Sequence, residues 1–124
     1  MLFISPGKDG SRLADVAAGV FHALGVSHSE ERQSANYPPD EHYFAGYAQN
    51  ACVTVFDCDD DQMPDFPFRV SLEEPKSWRS GTGTIETEPE RIARLLVSVG
   101  FRVFIPHGAW YQAGWDGDGE VYAA

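Results

Sequence analysis

The stretch Thr87-Glu88-Pro89-Glu90-Arg91-Ile92-Ala93-Arg94-Leu95-Leu96-Val97-Ser98-Val99-Gly100-Phe101-Arg102-Val103-Phe104-Ile105-Pro106 reads as a helix, a stop and a strand. Thr87 and Glu90 have capping-box spacing: the hydroxyl of the first accepts from the amide of the second, whose carboxylate reaches back. Pro89 falls in the first turn, where no intrahelical amide bond is lost. Ile92, Leu95, Leu96 and Val99 recur at i, i+3, i+4 and i+7, which predicts one apolar stripe with Arg91, Arg94 and Ser98 on the other side. Gly100 supplies a left-handed terminator. Phe101 to Ile105 then reads as a strand, stopped by Pro106.

An earlier segment has the same plan. Leu13, Val16, Ala17, Val20 and Leu24 mark a helix from about Arg12 to Leu24, with Ser11 or Asp9 as cap and Gly25 as terminator. Its small residues Ala14, Ala17, Ala18 and Gly19 permit close approach to a sheet. From Val26 the chain is extended but polar, an edge strand or a loop. Tyr43 to Ala48 and Cys52 to Cys58 are strand candidates separated by Gln49-Asn50-Ala51, a hairpin spacing. In the second of these, Cys52, Thr54 and Phe56 alternate with Val53 and Val55. Both faces are fairly apolar, as in a central strand. Phe66 to Leu72 contains Pro67, so it belongs at an edge or begins after the proline. Tyr37-Pro38-Pro39-Asp40 and Ser80-Gly81-Thr82-Gly83 are loops by composition. The chain closes with a glycine-rich aromatic segment from His107 to Gly119 and a short apolar Val121-Tyr122.

Helix, strands, helix, strand is the order of an α+β fold: an antiparallel or mixed sheet of about four to six strands with two helices packed on one face. A split β-α-β arrangement is the nearest familiar topology. With 124 residues, 43% of them apolar and 23% charged, residues 1–124 are expected to form a single globular domain that buries about two-thirds of its unfolded surface.

The chain carries 19 acidic and 9 basic side chains, a net charge of -10. That balance disfavours nucleic-acid binding through a general basic surface, and binding to anionic membranes. The apolar run Val16 to Phe21 is far short of the roughly 20 residues a transmembrane helix needs. Met1 to Pro6 lacks a charged start and a long apolar core, so no signal peptide is read and a cytoplasmic location is expected. Cys52 and Cys58, at the two ends of a predicted strand, stand about 20 Å apart at 3.3 Å per residue. They are too distant for a disulfide and match no common zinc spacing, so both read as reduced, small apolar residues.

Two segments concentrate the acidic excess. Asp57-Cys58-Asp59-Asp60-Asp61, with Asp65 beyond, reads as a solvated loop closing a strand, with a weak cation site and a docking patch for a basic partner as alternatives. It fails the calcium-loop test: Gln62 stands where glycine is required and Phe68 where glutamate is. Asp116, Asp118 and Glu120 alternate in a segment whose Asp-Gly pairs favour a tight turn. His22, His28, His42 and His107 have no metal-ligand spacing. His42 lies beside Asp40 and Glu41, which would raise its pKa if they adjoin it in space. No nucleophile elbow and no phosphate loop are present. No catalytic residue, metal site or cofactor is therefore assigned.

Trp110, Tyr111 and Trp115 either cover the open face of the sheet or form a contact surface of the kind that dominates interfaces. Trp78 poses the same choice. The expected function is a small acidic cytoplasmic module that docks on an unidentified protein partner, a basic one in the concrete version. There an inhibitor or immunity-type protein presents carboxylates to a site built for phosphates. Partner contact is assigned to Asp57, Asp59, Asp60, Asp61, Trp110, Tyr111 and Trp115. The alternatives are a small-molecule-binding or enzymatic α+β domain, its pocket lined by Trp110, Trp115, Tyr43 and His107, and a homo-oligomer formed through an exposed sheet face.

Overall fold

The computed structural model describes residues 1–7, 11–33, 42–58, 65–79, 81–108, 115 and 117–124. Along these run β1 (Leu2–Ser5), α1 (Leu13–Leu24), β2 (His28–Gln33), β3 (His42–Tyr47), β4 (Cys52–Asp57), β5 (Phe68–Glu73), α2 (Pro89–Ser98), β6 (Arg102–Pro106) and β7 (Gly119–Tyr122). The strands form one seven-stranded sheet in the order β2-β3-β4-β5-β1-β6-β7. Every neighbouring pair is antiparallel. The protein is thus α+β, with seven strands instead of four to six. The added strand is β1, whose Leu2-Phe3-Ile4 is too short a run to display a period. β5 and β6 run in the same direction, joined by α2 and separated by β1, which is a split β-α-β unit.

β4 is an interior strand, as its two apolar faces predict, and β5, which begins directly after Pro67, is the middle strand of the seven. Strand alternation sorts the core into two sets. Leu2, Ile4, Val53, Val55, Phe68, Val70 and Val103 share one continuous cluster with residues of both helices, among them Val16, Val20, Ile92 and Leu96. We call the side of the sheet bearing these strand residues the first face. The second face carries Phe3 and Phe104 in one cluster and Ala45, Tyr47 and Cys52 in another.

The helices depart from expectation at their starts and agree at their ends. Neither has a side-chain cap: α1 begins after an extended Arg12 and α2 after an extended Glu88. Proline disfavours helical geometry in the residue before it. Glu88 therefore sits at φ -73°, ψ 120° with Pro89 leading the helix, so Thr87 falls one residue too early for the capping box. At the other end Gly100 adopts φ 102°. Its amide bonds to the Val97 carbonyl and that of Phe101 to Leu96, a Schellman closure. Gly25 ends α1 in the same way. The buried stripe of α2 is Ile92, Ala93 and Leu96, whereas Leu95 and Val99 are 37% and 42% exposed. The small side chain of Ala93 turns this face toward its neighbours, which rotates the expected stripe.

Candidate functional site

Asp57 is the last residue of β4 and pairs with Phe68, the first of β5. Just beyond, the amide of Cys58 donates to the Pro67 carbonyl at 2.7 Å. The acid-rich segment is therefore a hairpin connection with a pinned neck, and its Asp65 is exposed. Asp59, Asp60 and Asp61 lie outside the described residues. Beside the neck, on the first face, an open groove of about 590 Å³ runs between the start of α1 and the strand ends. Leu13, Ala14, Phe44 and Phe68 supply its apolar lining, and Ser11, Arg12, Glu31, His42 and Asp57 its polar one, so one guanidinium stands among the carboxylates. His42 Nδ1 stands 3.1 Å from Glu31 Oε1, across the β2–β3 pair. Asp40 and Glu41, the partners expected for His42, are outside the described residues.

Trp110 and Tyr111 are also outside them. Trp115 is half-buried on the second face: its indole Nε1 donates to the His107 carbonyl at 2.8 Å, and its ring meets Phe104 edge-on at 6.1 Å. Phe104 in turn packs on Phe66 at 5.6 Å and Phe3 at 6.4 Å. Trp115 thus covers the sheet over β6, and through Phe104 it adjoins Phe66 of the acid-rich hairpin. Tyr43 belongs to a different cluster, with β4, β5 and β1 intervening. The structure does not bring Tyr43 and Trp115 into one pocket. The two acidic segments are apart as well. Asp57 lies level with Phe68, Ile4 and Val103, while Gly119 pairs with Pro106. That is three residues further along β6, about 10 Å.

The most developed polar arrangement is one that the sequence did not single out. On the second face Arg32 donates from Nη1 to Glu30 Oε1 at 2.8 Å and from Nε to the Tyr43 hydroxyl at 3.1 Å. The Tyr47 hydroxyl donates to the same Glu30 oxygen at 2.8 Å. Trp78, 58% exposed, stands edge-on to Tyr47 at 5.8 Å with the Arg32 guanidinium 4.5 Å from its ring centre. Arg79 lies 5.7 Å from the Tyr47 ring. The chain after β5 is tied down here: Asn50 exchanges both of its side-chain hydrogen bonds with the Ile85 backbone, at 2.9 and 3.0 Å. Gln49 N–H also donates to the Gly83 carbonyl at 2.8 Å.

These contacts set the protonation states. The Tyr47 hydroxyl and then Arg32 hold Glu30 below the usual carboxylate range. Glu30 and Tyr43 raise the Arg32 guanidinium. Burial, with Glu30 alongside, pushes the Tyr47 phenol up to about 12. Next to this network a cavity of about 220 Å³ opens over Ala45, Cys52 and Thr54, between Tyr43, Tyr47 and Trp78 on one side and Glu73 and Lys76 on the other.

No protein-family model, curated protein or solved structure matches this chain.

Its chemistry is therefore read from its own side chains. Cys52 and Cys58 are both free thiols. Burial pushes the Cys52 thiol up, which makes it a poor nucleophile. Among the described residues no three His, Cys, Asp or Glu side chains come together as metal ligands, and no helix is long and apolar enough to cross a membrane. The site presents carboxylates, guanidinium donors and ring edges held in fixed places. One signal for it was present in the sequence. Glu30 and Arg32, Tyr43 and Tyr47, and Cys52 and Thr54 share an alternation phase in successive strands, so hairpin pairing alone places them on one face.

Proposed function

We propose that this chain is a small acidic protein-interaction module, a single cytoplasmic domain that docks on a basic protein partner in the manner of an inhibitor or immunity-type protein. In this reading α1 and α2 cover one face of the sheet, and the Asp57 end of that face receives the partner. The supporting observation is the joint between groove and hairpin. The groove of about 590 Å³ is lined by Asp57 and Phe68, the two residues at which the acid-rich segment leaves and rejoins the sheet. Residues 57–65 carry five carboxylates and no base, and with Glu31 they outnumber Arg12, the one lysine or arginine in the groove lining, so a cation approaching from the hairpin end enters a negative field. A partner arginine or lysine would lay its aliphatic stem on Phe44 and Phe68 and its charge near Glu31 and Asp57.

The test is capture of binding proteins from native lysate by the immobilised chain, with mass spectrometry, at about 50 mM and about 500 mM salt. The variant Glu31→Gln/Asp57→Asn/Asp65→Asn removes charge without changing shape. The reading expects a basic protein that is retained at low salt, released at high salt and lost by the variant. With that partner purified, the association rate should fall steeply with ionic strength. Capture that ignores both salt and the variant overturns the proposal, as does a captured partner that is acidic.

A further inference from the structure

The cavity on the second face is assembled by strand register from residues of contrasting size. Ala45 pairs with Thr54, and Cys52 pairs with Tyr47 on one side and Glu73 on the other. The floor is therefore small, with the Thr54 hydroxyl turned to the Cys52 thiol, while the surrounding positions carry long side chains. Tyr43, Tyr47 and Trp78 wall one side. The rings already have cations of the chain itself beside them, Arg32 on Trp78 and Arg79 on Tyr47. A ligand that needs an aromatic cage for its own positive charge is thereby disfavoured, and an apolar group suits the walls better.

The opposite side holds a charge pair. Lys76 Nζ lies 2.7 Å from Glu73 Oε2, and both side chains are about one-third exposed. A ligand with a carboxylate alone is repelled by Glu73, and one with an amine alone is repelled by Lys76. A ligand bearing both charged groups on one carbon meets a complementary partner for each. Size narrows the class further. About 220 Å³ is below the roughly 300–1,000 Å³ that holds drug-sized ligands, and it excludes nucleotides and the larger cofactors.

We infer that this cavity binds a free amino acid with an apolar side chain, its carboxylate and ammonium groups at Lys76 and Glu73 and its side chain against Tyr43, Tyr47 and Trp78. The proposal is independent of the acidic groove, which lies on the other face of the sheet.

Thermal unfolding and tryptophan fluorescence test it, with L-phenylalanine and L-leucine as probes and 3-phenylpropanoate and phenethylamine as singly charged controls. At least one of the two amino acids should raise Tm saturably by roughly 5–10 °C, with neither control matching it. Lys76→Met and Glu73→Gln should each remove the response while leaving the ligand-free Tm nearly unchanged, because an ion pair about one-third exposed adds little stability. Ala45→Leu should fill the floor and abolish the response with the charge pair intact. Absence of any saturable response up to about 10 mM, where even a millimolar Kd gives substantial occupancy, overturns the proposal. So does an equal response to either control, or an unaltered response in Lys76→Met.

Discussion

Tyr47 donates its hydroxyl proton to Glu30 Oε1 at 2.8 Å, and the same oxygen accepts from Arg32 at 2.8 Å. Arg32 continues the chain to the Tyr43 hydroxyl. This side-chain ladder fastens the polar edge strand β2 to β3 in addition to their backbone pairing. Tyr47→Phe keeps the ring and its contact with Trp78 but deletes the donor. It should cost about 1 kcal/mol in urea unfolding. An unchanged denaturation midpoint would mean that the hydroxyl contributes nothing.

The same bond gives a pH dependence. Tyr47 and Tyr122 both ionise late, at about 12, the first chiefly through burial and the second chiefly through its bond to Glu120. An unfolded phenol ionises near pH 10. Folding therefore gains full benefit from both groups below about pH 10 and loses it as pH rises toward about 12. Glu30 acts in the opposite sense: its lowered pKa adds stability above the ordinary carboxylate range, which is lost as pH falls through the lowered value. Ultraviolet titration should show late ionisations at Tyr47 and Tyr122, one removed by Tyr47→Phe and the other by Tyr122→Phe.

The orientation of α2 can be read by two truncations. Ile92 is fully buried and Leu95 is 37% exposed. Ile92→Ala should cost about 2–5 kcal/mol, and Leu95→Ala about 0.5 kcal/mol or less. Chemical denaturation measures both. Equal costs would place the helix in the orientation that the i, i+3, i+4, i+7 pattern suggested.

Gly81 approaches the backbone beneath it so closely that a Cβ there would stand 1.8 Å from the Tyr47 carbonyl oxygen. Gly81→Ala must therefore lift the segment following Trp78 away from β3, at a cost of about 1–3 kcal/mol. The fluorescence of Trp78 should change as its edge-on contact with Tyr47 loosens. Retention of both stability and emission would contradict the close approach.

Local rules located most elements, because β4 and the end of α2 declare themselves within a few residues. Val53 and Val55 alternating with Cys52 and Thr54 requires cover on both faces, and Gly100 stops a helix whatever lies beyond it. What escaped was non-local or too brief. Leu2-Phe3-Ile4 shows no alternation because β1 is buried on both sides. Pro89 overrode a capping box that looks complete on paper. The second-face network depends on β2 pairing with β3 and on residues 78–85 folding back, so Trp78 and Arg32 meet although 46 positions apart. For the acidic contact residues, sequence placed Asp57 at a strand end, where it lies. It could not tell that Trp115 adjoins the same hairpin through Phe104, while Asp118 and Glu120 sit further along the sheet.

The place of β1 has a consequence for how the chain comes together. Leu2, Phe3 and Ile4 pair with residues 68–70 and 103–104. β1 precedes both of its partner strands by roughly 60 to 100 positions, whereas β2 to β5 pair as successive hairpins. Because β1 lies between β5 and β6 and joins the two parts of the sheet, completing the sheet depends on contacts of high sequence separation, the kind that slows folding.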